Sequence, residues 1–418
     1  MARVLLMLLL SVLLSDVCLS ESNLRGIVTS QATHVFRDSI PFLESRSDIV
    51  KQSPLNPTYV HEVIFAVQQN NMDELERILH DVSDPFSANY GQHLSGEQVA
   101  AMTMNPEGRD AIVDYLHANG ASVTSESLNS EFITASGPIS LWNKVFNTEF
   151  ALFHQKQVDG EIEQKVRAES FSIPNEIDMH VFGGINIIEM PVVHSRDSKM
   201  FEPLNEDING VTRSLAAAPY NGWILPKNLR RYYNSTGIRG NSFSTQAAYS
   251  ANDDYFNRVD LAKFQALDDI SIQQPVKNVG GHVVDNATAM NGGDWTEGNL
   301  DIQYLVAMSP GSPTTYWYWR ATLSTWLASL SNVVNVPLVL SLSYGAAEIY
   351  TPKWEHEIFT REALKLSVRG VTILAASGDD GAPSWDARNN PAKCAYRADF
   401  PSSNPLVVAV GATQVREQ

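Results

Sequence analysis

The chain has 418 residues, enough for two or three domains that each bury a core. With 44% hydrophobic and 18% charged residues it reads as globular rather than disordered. A formal net charge of −17 argues against nucleic acid as a partner, which rewards clustered Lys and Arg, and that charge shrinks as carboxylates protonate in acid.

The N-terminus opens with Met1-Ala2-Arg3 and an apolar run to about Leu14, followed by the small residues Cys18 and Ser20. This pattern predicts a secretory signal peptide over 1–20, cut after Ser20. The run is too short, and too broken by Ser11 and Asp16, for a membrane anchor, and no later stretch is long and apolar enough to span a bilayer. Secretion makes Asn234 and Asn286, each in an Asn-x-Thr sequon, glycosylation acceptors, whereas Pro57 spoils the sequon at Asn56. Cys18 leaves with the signal, so Cys394 remains as a buried thiol or as a residue whose partner lies beyond Gln418.

Residues 21–195 mix both periods. A strand is expected over 59–67, helices over 72–82, from the capping box at Ser95, and over 107–118, then a helix over 139–146 flanked by short strands. Further strands follow at 150–154 and 181–188. With no nucleophile, metal cluster or phosphate loop, this is a compact α+β module. From Pro191 to Gly222 the pattern dissolves, with Arg196, Lys199 and Arg213 open to proteases; the linker with its maturation cut is placed at 196–224. In 225–418, order restarts over 225–233. Helices are expected over 253–266 and 353–369, and strands over 336–342, 371–376 and 406–410. Such alternation argues for a parallel sheet covered on both faces.

Glu297 and Asp301 stand one turn apart on a helix that begins at a cap, Asp294. At this spacing their Cβ atoms lie ~5–6 Å apart, so the side chains can touch. Apolar residues at 300, 302, 305 and 306 spread around the wheel, which predicts burial on most sides. No Lys or Arg occurs between Lys277 and Arg320. Two such carboxylates would share a proton and act as a general base in acid, where His is already cationic. A glycoside hydrolase also uses two carboxylates, but flanking the sugar from opposite sides rather than side by side. A second acidic site lies where Ser377-Gly378-Asp379-Asp380-Gly381 leaves the 371–376 strand. There a protonated Asp379 could donate to an oxyanion, or it could simply be a turn residue. Ser341-Leu342-Ser343-Tyr344-Gly345 ends the preceding strand in similar fashion and could line a substrate groove by edge pairing.

Together these segments resemble the sedolisin family, the serine-carboxyl peptidases. Glu297 to Tyr304 matches the family's Glu-x-x-x-Asp helix, Ser341 to Glu348 its groove strand and Ala376 to Asp379 its oxyanion turn. Phe400 to Pro405 and Val410 to Thr413 resemble the segment that follows, Val82 to Pro85, Tyr90-Gly91 and His93-Leu94 the pro-domain, and Pro226 to Asn234 the start of the mature enzyme. The resemblance implies a subtilisin-like α/β parallel sheet, incomplete at the C-terminus, preceded by an α+β ferredoxin-like pro-domain. It implies Glu297 as general base, Asp301 as its orienting partner, Asp379 as oxyanion donor, and Ser343, Tyr344, Gly345, Ser377 and Gly378 at the substrate. It also implies a peptide or protein substrate, the pro-domain as intramolecular inhibitor, no nucleic acid or membrane partner, and a secreted or lysosomal (or vacuolar) setting. The serine nucleophile of a Ser-Gly-Thr-Ser turn and the family's Ca²⁺ site are expected further downstream, so the 418 residues by themselves are expected to be inactive and to hold no cofactor. Asp380 stands where a serine is common, and Ala346-Ala347 replaces acids, which leaves substrate preference open; exopeptidase and endopeptidase readings both stand. A non-catalytic chain whose pro-domain binds a separate peptidase is the rival reading.

Overall fold

A computed structural model of the chain describes residues 33–412 except 42, 157–161, 191–223, 252–253, 268–275, 282, 285–295, 384–386 and 388–389. The expected signal peptide, most of the expected linker, the Asp294 cap and the Asn286 sequon therefore lie outside the described residues.

The first half builds β1 (His34–Ser39), β2 (Ile49–Pro54), β3 (Val60–Val67), α1 (Met72–Ser83), α2 (Gly96–Thr103), α3 (Pro106–Ala118), β4 (Ser122–Glu126), β5 (Phe132–Pro138) and α4 (Ile139–Val145). Strands β6 (Ala151–Lys156), β7 (Ile162–Arg167), β8 (Ser170–Pro174) and β9 (Val181–Ile185) complete it. An antiparallel sheet runs in the order β4-β5-β3-β9, so the β-α-β-β-α-β succession places β3 and β5 at the centre. Alternation seats Val63, Phe65, Ile133 and Ala135 in a core with Trp142 and Phe146. Helix α2 starts where expected, its capping box closed by Gln98 N donating to Ser95 Oγ (3.2 Å) and Ser95 N donating to Gln98 Oε1 (2.8 Å).

The second half carries α5 (Pro226–Tyr232), β10 (Gln246–Ser250), β11 (Phe256–Asn257), α6 (Arg258–Leu267), β12 (Lys277–Val279), β13 (Val283–Val284), α7 (Thr296–Met308) and β14 (Thr314–Tyr318). It continues with α8 (Leu323–Ser331), β15 (Val339–Leu342), β16 (Ala346–Ala347), α9 (Lys353–Ser367), β17 (Thr372–Ala376), β18 (Asp399–Phe400) and β19 (Val408–Val410). Six strands form one parallel sheet in the order β12-β14-β10-β15-β17-β19. Both faces are covered. On one, Ala248, Tyr316 and Tyr318 pack against Leu261 of α6 and Ile302 and Val306 of α7. On the other, Ala247, Tyr249 and Ile373 pack against Trp326 and Leu327 of α8 and Phe359 and Ala363 of α9. The alternation of Ala247, Ala248 and Tyr249 between the two cores follows from the period of a strand buried on both sides.

Three expectations need correction. Helix α6 begins at Arg258, not at 253, because Asp254 is committed to side-chain bonds and Phe256–Asn257 pairs with β13 instead. Strand β15 starts at Val339, not 336, because Pro337 lacks the donor a ladder needs. Cys394 is exposed, not buried; it follows a short turn over Pro391–Lys393 whose residues are also exposed.

A candidate active site at the strand ends

Parallel strands end on the same edge of the sheet, where open α/β sheets place their sites. Leu342 of β15 pairs with Ala375 of β17, so Ser343 and the Ser377–Asp379 turn leave the sheet side by side. Helix α7 brings Asp301 to that edge, where Ser343 Oγ donates to Asp301 Oδ1 at 2.8 Å. Glu297 is half-buried one turn earlier on the same helix. Ser343, Tyr344 and Gly345 lie outside any strand, while Ala346–Ala347 pairs antiparallel with Asp399–Phe400. Gly345 has no room for a side chain, since a Cβ there would stand 2.6 Å from the Phe400 carbonyl oxygen.

Asp254 holds this corner together, and no motif announces it. It is only 2% exposed. Its Oδ2 accepts from Gly298 N at 2.6 Å and from Tyr344 Oη at 2.7 Å, and its Oδ1 accepts from Tyr255 N at 2.8 Å. One carboxylate thereby joins the N-terminal turn of α7 to the segment that follows β15, at the helix end where a negative charge is favoured. Gly298 permits the approach, because a Cβ there would meet the Tyr255 carbonyl oxygen at 2.8 Å. Behind it Tyr316 Oη donates to the Asp254 carbonyl at 2.6 Å and accepts from Ser250 Oγ at 2.7 Å. Burial pushes the Tyr316 phenol up; the Ser250 bond works the other way, and the Asp254 and Asp301 charges add to the rise. The one sequence signal available was the Asp-Asp pair at 253–254 ahead of Tyr255-Phe256, which looks like the start of a helix.

Helix α7 is less enclosed than its wheel implies. Gly298, Ile302, Val306 and Ala307 are buried on the sheet side, but Leu300 is 44% exposed. The opposite side borders a cavity of about 320 Å³ lined by Leu300, Asp301, Tyr304 and Ser341. Tyr304 Oη reaches the Ile224 carbonyl at 2.5 Å, tying α7 to the start of the second half.

Asp379 is exposed, in a turn that needs Gly378 at φ 90°, a left-handed conformation natural to glycine. A Cβ at Gly378 would strike Asp399 Oδ2, so Asp399 stands close against this turn. The Asp399 carboxyl is pushed up by its burial and by the charges of Asp380 and Asp379. The structure thus joins Ser343 to Asp301 and Tyr344 to Asp254, and groups Asp379 with Asp380 and Asp399 at the neighbouring strand end. Asn234 is exposed, at φ 52° just after α5.

Tyr344, Gly345 and Ala346 also face Gln155, Glu163 and Lys165 of the first half across a cavity of about 190 Å³. Glu355 also lines it, accepting from Ser324 N at 3.2 Å, and burial pushes its carboxyl up to about 7.

Residues 47–187 match the family model described as Pro-kumamolisin, activation domain. Physarolisin of Physarum polycephalum is 28% identical over 391 residues, which is 88% of this chain and 62% of that protein. Tripeptidyl-peptidase 1 of Homo sapiens is 28% identical over 375 residues, 84% of this chain and 61% of that protein. These likenesses support the sedolisin family for this chain. A solved Pseudomonas sedolisin (serine-carboxyl proteinase) complexed with pseudo-iodotyrostatin aligns at a TM-score of 0.33 and 18% identity, over 44% of this chain and 52% of that one. The chain spans less than two thirds of the length of the curated relatives it matches.

Proposed function

We propose that the chain is the precursor part of an acid serine peptidase. The observation that carries this reading is the pair of bonds linking the carboxylate helix to the groove segment, Ser343 to Asp301 and Tyr344 to Asp254. They hold the carboxylates of α7 beside a stretch of backbone that has left the sheet and can pair with an extended peptide. In this reading Glu297 takes the proton of an attacking serine, Asp301 orients Glu297, and Asp379 donates to the oxyanion of the tetrahedral intermediate. Residues 21–195 form a ferredoxin-like pro-domain, 196–224 a linker carrying the maturation cut, and 225–418 the first part of a subtilisin-like peptidase domain. The pro-domain inhibits in place by roofing the groove at Gln155, Glu163 and Lys165, so a peptide or protein substrate enters only after cleavage. Secretion or delivery to a lysosome, with glycans at Asn234 and Asn286, completes the picture. Among the described residues no helix is long and apolar enough to cross a membrane. Among them also no group of His, Cys, Asp and Glu is placed to hold a metal.

The 418 residues contain no Ser-Gly-Thr-Ser turn, so a polypeptide of these residues alone should show no turnover of an oligopeptide at about pH 4. Sequencing the transcript past the codon for Gln418 asks whether such a turn follows. The protein expressed from that whole reading frame should cleave the oligopeptide, and Glu297→Gln should slow it by about a hundredfold or more. Undiminished cleavage by Glu297→Gln would falsify the assignment of the base.

A further inference from the structure

The two halves of the chain share helix α9. Its Trp354 and Ile358 lie in the core of the first half, its Leu364 packs with Val368 on Leu75 and Val99, and its Phe359 and Ala363 cover the parallel sheet. Charged side chains are sealed inside this apolar contact. Lys365 Nζ stands 2.6 Å from Glu131 Oε1, in the segment between β4 and β5, and 2.9 Å from Glu362 Oε2, one turn back on α9. Gln69 Nε2, just past β3, donates to Glu362 Oε1 at 3.2 Å. Glu362 is fully buried, and Glu131 and Lys365 are 3% exposed. Among the described residues, no hydrogen bond within the usual distance reaches Glu131 Oε2 or Gln69 Oε1.

Charge around the cluster does not balance. Two carboxylates face one ammonium. A further cation, Arg361 of α9, lies over the Phe182 ring and is shared among Glu357 and Glu362 of α9 and Asp73 of α1, so it does not cancel the surplus. The group that approaches Glu131 from α8's end is the neutral amide of Asn332. A surplus negative charge in a site closed to water is costly, and a proton removes it.

We propose that Glu131, Glu362 and Lys365 form a proton-taking clasp between the activation domain and the sheet-bearing half, in which the joined state holds a proton on Glu131 that the parted state gives up. Burial pushes the Glu131 carboxyl up; Lys365 pulls it back and the Glu362 charge adds to the rise. Burial works to discharge Lys365, but the charges of Glu362 and Glu131 and their hydrogen bonds outweigh it and keep the ammonium charged. A carboxyl raised in the joined state contributes stability that is full below its parted-state value and is lost as pH rises through its joined-state value. The clasp therefore tightens as pH falls from neutral toward the ordinary carboxylate range. A chain entering acid would hold its activation domain more firmly, so separation must be driven by cleavage or by other groups. This inference does not depend on the peptidase reading.

Hydrogen exchange on the 418-residue chain tests it. Protection of the α9 amides is followed from about pH 7 to pH 5 with the intrinsic rate divided out, and β10 amides serve as the internal reference. In the wild type, protection of α9 relative to β10 should rise by up to about tenfold per pH unit of acidification, the limit for one proton. Glu131→Gln keeps the size and the oxygen that faces Lys365, and its slope should be flat. Equal slopes in the two proteins overturn the proposal. So does wild-type protection that falls in acid, which would make the cluster an acid-released latch. Should Glu131→Gln fail to fold, Glu362→Gln removes the same surplus charge from the other partner and must flatten the slope likewise.

Discussion

Two groups of carboxylates touch the helices around the parallel sheet, and they are held in opposite ways. At the strand ends Asp254 and Asp301 accept from neutral donors: a backbone N–H, a phenol and a serine hydroxyl. Beneath α9, Glu131 and Glu362 are held by an ammonium in a site closed to water. Neutral donors orient a carboxylate without cancelling its charge, and the half-buried Asp301 keeps a path to solvent. An enclosed ammonium fixes position and charge together. The first arrangement suits proton transfer, and the second suits joining two pieces of protein.

Removing the ammonium should separate the two cases most sharply. Lys365→Met leaves Glu131 and Glu362 buried without compensation, and breaking a buried pair in this way costs about 3–5 kcal/mol. Denaturant unfolding at neutral pH measures the loss, which should shrink below about pH 5 as the stranded carboxylates protonate. A loss under about 1 kcal/mol would place the cluster in the solvent-exposed class and remove the contrast.

At the strand ends the expected losses are smaller, because neutral donors can turn to water. Asp254→Ala strands the Gly298 N–H, the Tyr255 N–H and the Tyr344 hydroxyl, and a loss of about 3 kcal/mol follows from the usual cost of unsatisfied buried groups. Asp254→Asn keeps the volume and one acceptor oxygen, so it should lose about half as much. If Asn proves as costly as Ala, the negative charge at the helix end, rather than the number of acceptors, holds α7 in place.

The contrast also explains what the sequence disclosed. That Glu297 and Asp301 share one helix was legible because helical spacing is a local property, and so were the strand exits at Ser343 and Ser377, each marked by an apolar strand ending in Ser and Gly. The capping box at Ser95 was legible for the same reason. Asp254 was not, because its partners lie 44 and 90 positions away in the chain, at Gly298 and Tyr344. Strand β14 escaped notice too: Thr314-Thr315-Tyr316-Trp317-Tyr318 is buried at every position and shows no alternation of apolar and polar residues. Leu300 misled in the other direction, since an apolar residue on a helix wheel does not say which face the sheet will cover. The clasp was hidden because Glu131 and Lys365 come from different halves and each alone resembles a surface charge.

The smallest effect tests the bond nearest the proposed chemistry. Ser343→Ala removes the donor to Asp301 and should cost about 1 kcal/mol, the typical net value of one partly buried hydrogen bond. A loss that small is easily confused with a packing change, so the informative quantity is a coupling. In a double-mutant cycle with Asp301→Asn, the two substitutions should be non-additive by about 0.5–1.5 kcal/mol if the serine and the carboxylate act on each other. Additivity within about 0.3 kcal/mol would show that Ser343 and Asp301 are neighbours without being partners. In that case the groove segment would be tied to α7 through Asp254 and Tyr344 alone. Asp301 would then have lost the contact that aims it at the strand ends, and with it the structural reason for placing the carboxylate pair and the peptide groove in one site.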